Sequence, residues 1–235
     1  MTPVRVKVWG DLACFTRPEF GAERVTYDVP TPSAARGVLE AIFFKPEMAY
    51  HIRTIQVLKP IRHLSIRRNE INNWQSESTA RSWQKSGEGG YYADDPKNRA
   101  QRHTLMLRDV AYIIEADIVT RSHAGADVAK YRDQFRRRVR RGQAFYQPYL
   151  GTRECSAYFE EPDGSERPLE DLNADLGLML FDLSFTPRRK GNLRYLRHDT
   201  YGAHVEEGDA QPVFFRARLE GGTLVVPQDL YRGPL

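Results

Sequence analysis

The chain has 235 residues, of which 40% are hydrophobic and 11% aromatic, and it carries a formal net charge of +4 at pH 7. This composition is typical of an ordered protein of one large domain, and it excludes a disordered or fibrous chain. The longest apolar runs, such as 176–185, are far shorter than the roughly 20 residues of a membrane-spanning helix, so no membrane partner is expected. Cys14 and Cys155 form no CxxC pair, and the first residues contain no signal-peptide core, which favours a cytoplasmic location.

The first half of the chain predicts three strands and one helix. Residues 3–9 alternate between apolar and charged residues, as a half-buried strand does. A cap residue and a proline at 31–32 begin a helix whose apolar period continues to Phe43. Residues 50–60 and 104–120 are rich in β-branched residues and are predicted to be the second and third strands.

A polar stretch, residues 67–101, separates the second and third predicted strands and has no clear period. An insertion this long inside a compact domain is usually either functional or disordered. Two interpretations stay open: a disordered loop, or a hairpin or lid that touches a ligand through its aromatic residues. Those aromatic residues are Trp74, Trp83, Tyr91 and Tyr92.

The third strand is followed by a concentration of positive charge at 130–142. This segment holds seven lysines and arginines against one aspartate, or +6, so the rest of the chain is slightly acidic. We predict an amphipathic helix over 127–141, which Asp127 caps and Gly142 ends. Its apolar stripe consists of Val128, Tyr131, Phe135 and Val139.

Such a dense cluster repels itself unless it faces water or an anion. Six of its seven cations are arginines, and the guanidinium fork matches the geometry of phosphate. We therefore interpret the helix as a nucleic-acid-binding element, with a solvated surface helix as the alternative. The residues expected to contact RNA are Arg132, Arg136, Arg137, Arg138 and Arg141 on the helix, and Arg102 and His103 at the mouth of the polar insertion.

The second half of the chain adds further strands. Residues 153–160 complete the order strand, helix, strand, strand, helix, strand, which is that of a ferredoxin-like or RRM-like antiparallel sheet with two helices. An apolar strand at 176–186 follows, and then short strands joined by Gly and Asp turns. We predict an α+β fold: a ferredoxin-like domain over residues 1–187 that contains the 67–101 insertion, and a small all-β domain over 188–235.

The sequence contains no P-loop, no GxGxxG after a strand, no HExxH and no GxSxG motif. Its six histidines are scattered without metal-ligand spacing, so no metal and no cofactor is expected. An RRM-type scaffold with a basic helix predicts an RNA-binding protein or a metal-independent ribonuclease.

Several sequence blocks resemble a known family. They are residues 8–15 (VWGDLACF), 37–46 (GVLEAIFFKP) and 142–155 (GQAFYQPYLGTREC), together with Lys130-Tyr131 at the head of the basic helix. Through them the chain resembles the CRISPR-associated Cas-five family, subtype d, of type I-C systems, essentially from end to end. The resemblance implies an RRM-like domain followed by a small β domain.

The resemblance also implies a function. Family members cut the precursor CRISPR transcript (pre-crRNA) at the base of each repeat hairpin, keep the product and become a subunit of the type I-C interference complex. The implied partners are therefore CRISPR repeat RNA, both as the pre-crRNA hairpin and as the mature crRNA 5′ handle, and the other subunits of that complex. The implied mechanism uses no metal, because a ribose 2′-hydroxyl attacks the adjacent phosphate.

That attack needs a proton acceptor, a cation over the phosphorane and a proton donor for the leaving oxygen. Family members supply these groups with a tyrosine near the end of the first helix and a Lys-His pair at the head of the second. Here the lysine position holds Lys130, the histidine position Tyr131 and the tyrosine position Phe43. The substitutes considered are Tyr50, His51 and His123; the expected catalytic set is Lys130, Tyr131 and Tyr50.

Three functions remain in competition. Lys130 favours an active pre-crRNA endoribonuclease, whereas the missing hydroxyl at Phe43 favours a non-catalytic subunit that holds the crRNA 5′ handle. An unrelated module that binds duplex DNA would explain the charge but not the motif blocks. Because Tyr131 also falls on the apolar stripe, a pure packing role stays open for it.

Overall fold

The computed structural model describes residues 2–74 and 76–232, which form an α+β fold with a large, almost entirely antiparallel sheet, as predicted. The strands are β1 (Val4–Ala13), β2 (Arg24–Val25), β3 (Met48–Val57), β4 (His63–Ile71), β5 (Arg99–Thr120), β6 (Tyr158–Glu160), β7 (Ala174–Pro187), β8 (Leu193–Asp199), β9 (Gly202–Glu220) and β10 (Thr223–Val225). The helices are α1 (Pro32–Ile42), α2 (Glu77–Ser86), α3 (Val128–Arg140) and a 3-10 helix, Gln228–Arg232. In the described part of the chain, no helix has the length and apolarity needed to cross a membrane.

The ten strands form a single sheet in the order β6-β1-β5-β3-β10-β9-β7, with β2 and β4 also paired to β5 and β8 paired to β9. Among the strands of the described residues, the one parallel pairing is between β2 and β5. Strand β10 pairs with β3 on one side and with β9 on the other. The strands beyond residue 187, expected to form a small β domain, thus continue the sheet of the first half of the chain.

Helix α1 forms where the sequence predicts it. Thr31 caps it, because its side-chain oxygen accepts a hydrogen bond from the Ala34 N–H at 3.2 Å, and Pro32 occupies the first helical position. The helix ends where Phe43 adopts an extended conformation. Its buried face packs against β3 and β7, and consists of Pro32, Ala35, Val38, Leu39, Ala41 and Ile42.

Helix α3 also follows the prediction. Asp127 caps it by accepting a hydrogen bond from the Ala129 N–H at 3.2 Å. Gly142 follows the helix with φ of +60°, a left-handed conformation that glycine adopts without steric cost. The predicted stripe packs against β5, β1 and α1, and its buried members are Tyr131, Phe135 and Val139.

The polar insertion at 67–101 is not an irregular loop. β4 and β5 extend into it as a regular antiparallel hairpin, with register from His63↔Leu107 to Ile71↔Arg99, and α2 lies at the tip. A hairpin therefore forms at the base of this insertion, and the contact of its aromatic residues with a ligand stays a prediction. The sequence shows no clear strand pattern in this arm, formed by β4 and the start of β5. The arm buries little apolar surface, so charged residues occupy both of its faces.

Candidate functional site

Lys130 lies in the first turn of α3, and its side chain is exposed to solvent. Its N–H donates to the carbonyl oxygen of Asp127 at 3.0 Å, which fixes the backbone. Within residues 2–74 and 76–232, the Lys130 ammonium has no hydrogen-bond or ion-pair partner. The unpaired N–H groups at a helix N-terminus carry a partial positive charge. The Asp127 carboxylate already caps this end of α3, so the exposed Lys130 ammonium is the group here that can contact an anion.

Tyr131, the next residue, turns inward and is 5% exposed. Burial raises the pKa of its phenol, and the neighbouring Glu47 carboxylate raises it further. The hydroxyl is therefore protonated at neutral pH and can donate a proton more readily than accept one. The burial matches the packing role left open for Tyr131, and the catalytic role stays a prediction.

Tyr50 lies in the core and is 1% exposed. Its hydroxyl donates a hydrogen bond to the carbonyl oxygen of Phe43 at 2.7 Å, and its ring lies 5.7 Å from the Phe135 ring. Burial raises its pKa well above the ordinary value of 10. The structure therefore does not bring the Tyr50 hydroxyl to the solvent-exposed head of α3, where Lys130 lies.

Three of the five predicted helix arginines contact other groups of the protein. Arg136 donates to the carbonyl oxygen of Pro3 at 3.2 Å, and Arg138 donates to that of Ile42 at 3.0 Å. The Arg138 guanidinium also lies 5.4 Å from the centre of the Phe43 ring. Arg132 is mostly covered and lies 3.7 Å from a carboxylate oxygen of its neighbour Asp133.

The other two, Arg137 and Arg141, are exposed and have no partner within the described residues. They stand four residues apart and so lie on the same side of the helix, one turn from each other. Of the five arginines expected to contact RNA, these two are free to bind phosphate without breaking an internal contact.

Arg102 and His103 lie on the arm formed by β4 and β5. Arg102 pairs with a carboxylate oxygen of Glu70 at 3.3 Å and donates to the carbonyl oxygen of Ala22 at 3.2 Å. His103 is exposed opposite Arg67. Both residues belong to the start of the 22-residue strand β5, whereas α3 follows its end, so the structure separates them from Lys130.

One further histidine, His198, lies close to the connection between α1 and β3. The Arg121 N–H donates to the carbonyl oxygen of Glu47 at 2.8 Å, and its guanidinium donates to that of His198 at 3.3 Å. The His198 ring packs edge-on against Phe44, with 6.3 Å between ring centres. The tip of the β8–β9 hairpin therefore reaches the α1–β3 connection. In the sequence His198 is one of six scattered histidines, because no local signal reports a contact this distant along the chain.

His123, one of the substitutes considered from the sequence, lies in the loop that leads from β5 to α3. Its Nε2 atom is buried and has no hydrogen-bond partner among the described atoms. His51, another substitute, stacks on Tyr231 with 4.1 Å between ring centres, and burial lowers its pKa. Among the described residues, no group of three or more His, Cys, Asp or Glu side chains is arranged to hold a metal ion.

Comparison with known proteins adds to this geometry. The family model Cas5d, described as CRISPR-associated protein (Cas_Cas5), matches residues 4–227. The chain belongs to the Cas5d family. The resemblance carried by the sequence blocks is thereby confirmed.

Two curated relatives carry the name CRISPR pre-crRNA endoribonuclease Cas5d. The one from Thermus thermophilus is 48% identical over 238 residues, covering 99% of this chain and 96% of its own. The one from Mannheimia succiniciproducens is 42% identical over 233 residues, covering 95% and 94%. A solved structure described as a CRISPR-associated protein has a TM-score of 0.63 at 20% identity, covering 96% of this chain and 91% of its own, so it shares the fold.

Proposed function

We propose that this protein is a CRISPR endoribonuclease that cleaves pre-crRNA at the base of the repeat hairpin. The observation that carries the proposal is the family membership: relatives named as pre-crRNA endoribonucleases are 48% and 42% identical over nearly the whole chain. The free Lys130 at the head of α3 supports it, because this is the position of the family's lysine.

The proposed reaction needs no metal. The ribose 2′-oxygen forms a bond to phosphorus, the bond from phosphorus to the 5′-oxygen breaks, and the products are a 2′,3′-cyclic phosphate and a free 5′-hydroxyl. The Lys130 ammonium would lie over the phosphorane and stabilise its added negative charge. Tyr131, whose raised pKa keeps it protonated, would give its proton to the leaving 5′-oxygen.

For the group that accepts the 2′-proton we propose His198. An imidazole is the side chain best suited to take up a proton near neutral pH. His198 is partly exposed and lies against Phe44, next to the residue in the family's tyrosine position. The Arg121 guanidinium donates a hydrogen bond to the backbone carbonyl oxygen of His198. Both ring nitrogens of His198 have no partner within the described residues.

The ferredoxin-like unit predicted for residues 1–187 remains part of the proposal. It is supported by the strand order β6-β1-β5-β3, in which each neighbouring pair is antiparallel, and by α1 and α3 as the connections from β1 to β3 and from β5 to β6. The separate β domain over 188–235 stays a prediction.

The proposed partners are the repeat RNA, as the pre-crRNA hairpin and as the 5′ handle, and the other subunits of a cytoplasmic type I-C interference complex. The exposed Arg137 and Arg141 are the helix residues free to bind RNA phosphates. Binding of duplex DNA stays a prediction.

The decisive experiment incubates the purified protein with its own repeat RNA in excess EDTA. We expect cleavage at the hairpin base, a product that ends in a cyclic phosphate, and no cleavage when the 2′-hydroxyl at the cut site is replaced by hydrogen. Cleavage of that deoxy substrate would refute the mechanism. Tight binding of the repeat without any cleavage would instead support the non-catalytic subunit that holds the 5′ handle, which the absence of a hydroxyl at Phe43 favours.

A further inference from the structure

Residues 143–148, which follow α3, are hydrogen-bonded to the end of α1 and to α3. The N–H groups of Phe145 and Tyr146 both donate to the carbonyl oxygen of Ala41, at 2.7 and 3.2 Å. The N–H of Gln143 donates to the carbonyl oxygen of Arg138 at 2.9 Å. Pro148 is buried, which anchors the segment at its other end. The backbone of this segment is therefore held in one position.

The two aromatic side chains of this segment nevertheless point outward. Phe145 is 72% exposed and Tyr146 is 47% exposed, and their ring centres lie 5.9 Å apart at an interplanar angle of 69°. The hydrophobic stabilisation that these rings add to the fold is small for Phe145 and partial for Tyr146, because a large part of each ring stays in water. They are, however, preorganised to bind a flat partner, since little conformational freedom would be lost on contact.

The nearest part of α3 supplies positive charge. Arg137 and Arg141 are exposed, lie one turn apart near the C-terminal end of the helix, and have no acidic partner within the described residues. Exposed aromatic rings next to unpaired guanidinium groups are the combination that binds single-stranded RNA, with bases on the rings and phosphates on the arginines.

We propose that Phe145 and Tyr146 form a stacking platform for unpaired nucleotides that flank the repeat hairpin, while Arg137 and Arg141 hold the phosphates of the same strand. This inference rests on the proposed function, because it takes the repeat RNA as the ligand. It adds a base-binding site to the phosphate contacts predicted for α3.

A protein partner fits this surface less well than RNA. A stable protein interface buries about 800 Å² on each partner around an apolar centre. Along the chain the two rings are flanked by the exposed polar residues Gln143 and Gln147. Two rings match the size of one or two nucleobases.

The test measures binding to two RNAs, both with a 2′-deoxy residue at the cut site so that no cleavage occurs. One RNA carries the single-stranded flanks of the repeat, and the other is the hairpin alone. For the double variant F145A/Y146A we expect the affinity for the flanked RNA to fall about tenfold for each stacked base, with the affinity for the bare hairpin unchanged. Replacing both residues by tryptophan should preserve binding. The matched control is Phe20→Ala, which removes an exposed aromatic ring (46%) elsewhere.

Equal affinity of wild type and F145A/Y146A for the flanked RNA would overturn the proposal, as would an equal loss for both RNAs. Loss of complex assembly with unchanged RNA affinity would overturn it too and assign the surface to a protein partner. Thermal melting of each variant checks that the fold is intact. Neither RNA can be cleaved, so this binding test does not depend on catalysis. A protein that fails to cleave unmodified repeat RNA would refute the proposed function but would leave the binding result valid.

Discussion

The phenol of Tyr50 donates a hydrogen bond to the carbonyl oxygen of Phe43, and both residues are buried. The family resemblance predicts a tyrosine in other members at the position of Phe43, and here the hydroxyl of Tyr50 reaches this part of the chain. It does so from inside the core, where it stabilises the connection between α1 and β3. Tyr50 therefore belongs to the scaffold of the candidate site rather than to its surface.

This bond gives the first prediction. Tyr50→Phe removes the donor and leaves the buried Phe43 carbonyl without it, so the free energy of unfolding should fall by about 1–3 kcal/mol. The cleavage rate should stay at the wild-type value. Urea denaturation and single-turnover cleavage on one preparation measure both quantities. A large loss of rate in a variant of normal stability would return Tyr50 to the catalytic set.

The same variant should differ in its response to alkali. The pKa of Tyr50 is raised by burial in the folded state, so the folded protein holds this proton more tightly than the unfolded chain. The resulting stabilisation is fully present below about pH 10, the ordinary tyrosine pKa, and is lost as the pH rises through the higher pKa of the folded state. Tyr50→Phe should lose less stability than wild type above pH 10. Identical alkaline stability curves would contradict this prediction.

The second prediction concerns Lys130. Lys130→Ala removes the cation proposed to stabilise the phosphorane, and the loss of one preorganised group of this kind costs about 10²–10³ in rate. RNA binding should weaken only slightly, because the helix arginines remain. The control is Lys85→Ala, which removes an exposed lysine from α2 at the tip of the arm. Wild-type cleavage by Lys130→Ala would make Lys130 an ordinary surface residue.

The third prediction separates the helix arginines into two classes. Removing Arg137 and Arg141 should flatten the slope of log affinity against log salt by about 1–2, since each phosphate contact contributes about 0.7–0.9. Removing Arg136 and Arg138 deletes the same charge but breaks contacts with Pro3, Ile42 and Phe43. The second pair should therefore lower the melting temperature more than the first. Equal effects of the two pairs on both slope and melting temperature would show that the classes are not distinct.

The fourth prediction isolates the hydroxyl of Tyr131. Tyr131→Phe keeps the buried ring, so the fold should be retained, while the proposed proton donor is lost. We expect the cleavage rate to fall by about 10²–10⁴, the usual contribution of general acid catalysis. A rate equal to that of wild type would leave Tyr131 with a packing role alone.

The fifth prediction concerns His198. His198→Ala should slow cleavage without changing RNA affinity, and it should remove the acidic limb of the pH–rate profile that a general base produces. His204→Ala is the matched control, because His204 lies in the same hairpin opposite Arg197 and is paired with Asp199 and Glu206. An unchanged profile for His198→Ala would exclude it as the proton acceptor.

Local signals in the sequence were enough to place the two helices that carry the site. The caps at Thr31 and Asp127, the left-handed Gly142 and the apolar stripe of α3 all act within a few residues of each other. Equivalent local signals mark α2, which Ser76 caps and the left-handed Gly87 ends, so the expectation of an aperiodic stretch over 67–101 was wrong there. Beyond Ile66, β4 lacks the alternation that marks a half-buried strand, because the arm formed by β4 and β5 buries little apolar surface.

The sequence by itself determined that positive charge is concentrated on one amphipathic helix, because charge and periodicity are properties of consecutive residues. Only the tertiary structure decided which of those cations are free. Arg136 and Arg138 bind backbone carbonyls that are 133 and 96 residues away, and Arg121 reaches His198 across 77 residues. Every residue carries a carbonyl group, so no residue type in the sequence indicates which one an arginine will meet. The carbonyl that each arginine meets is decided when the helix packs against the sheet.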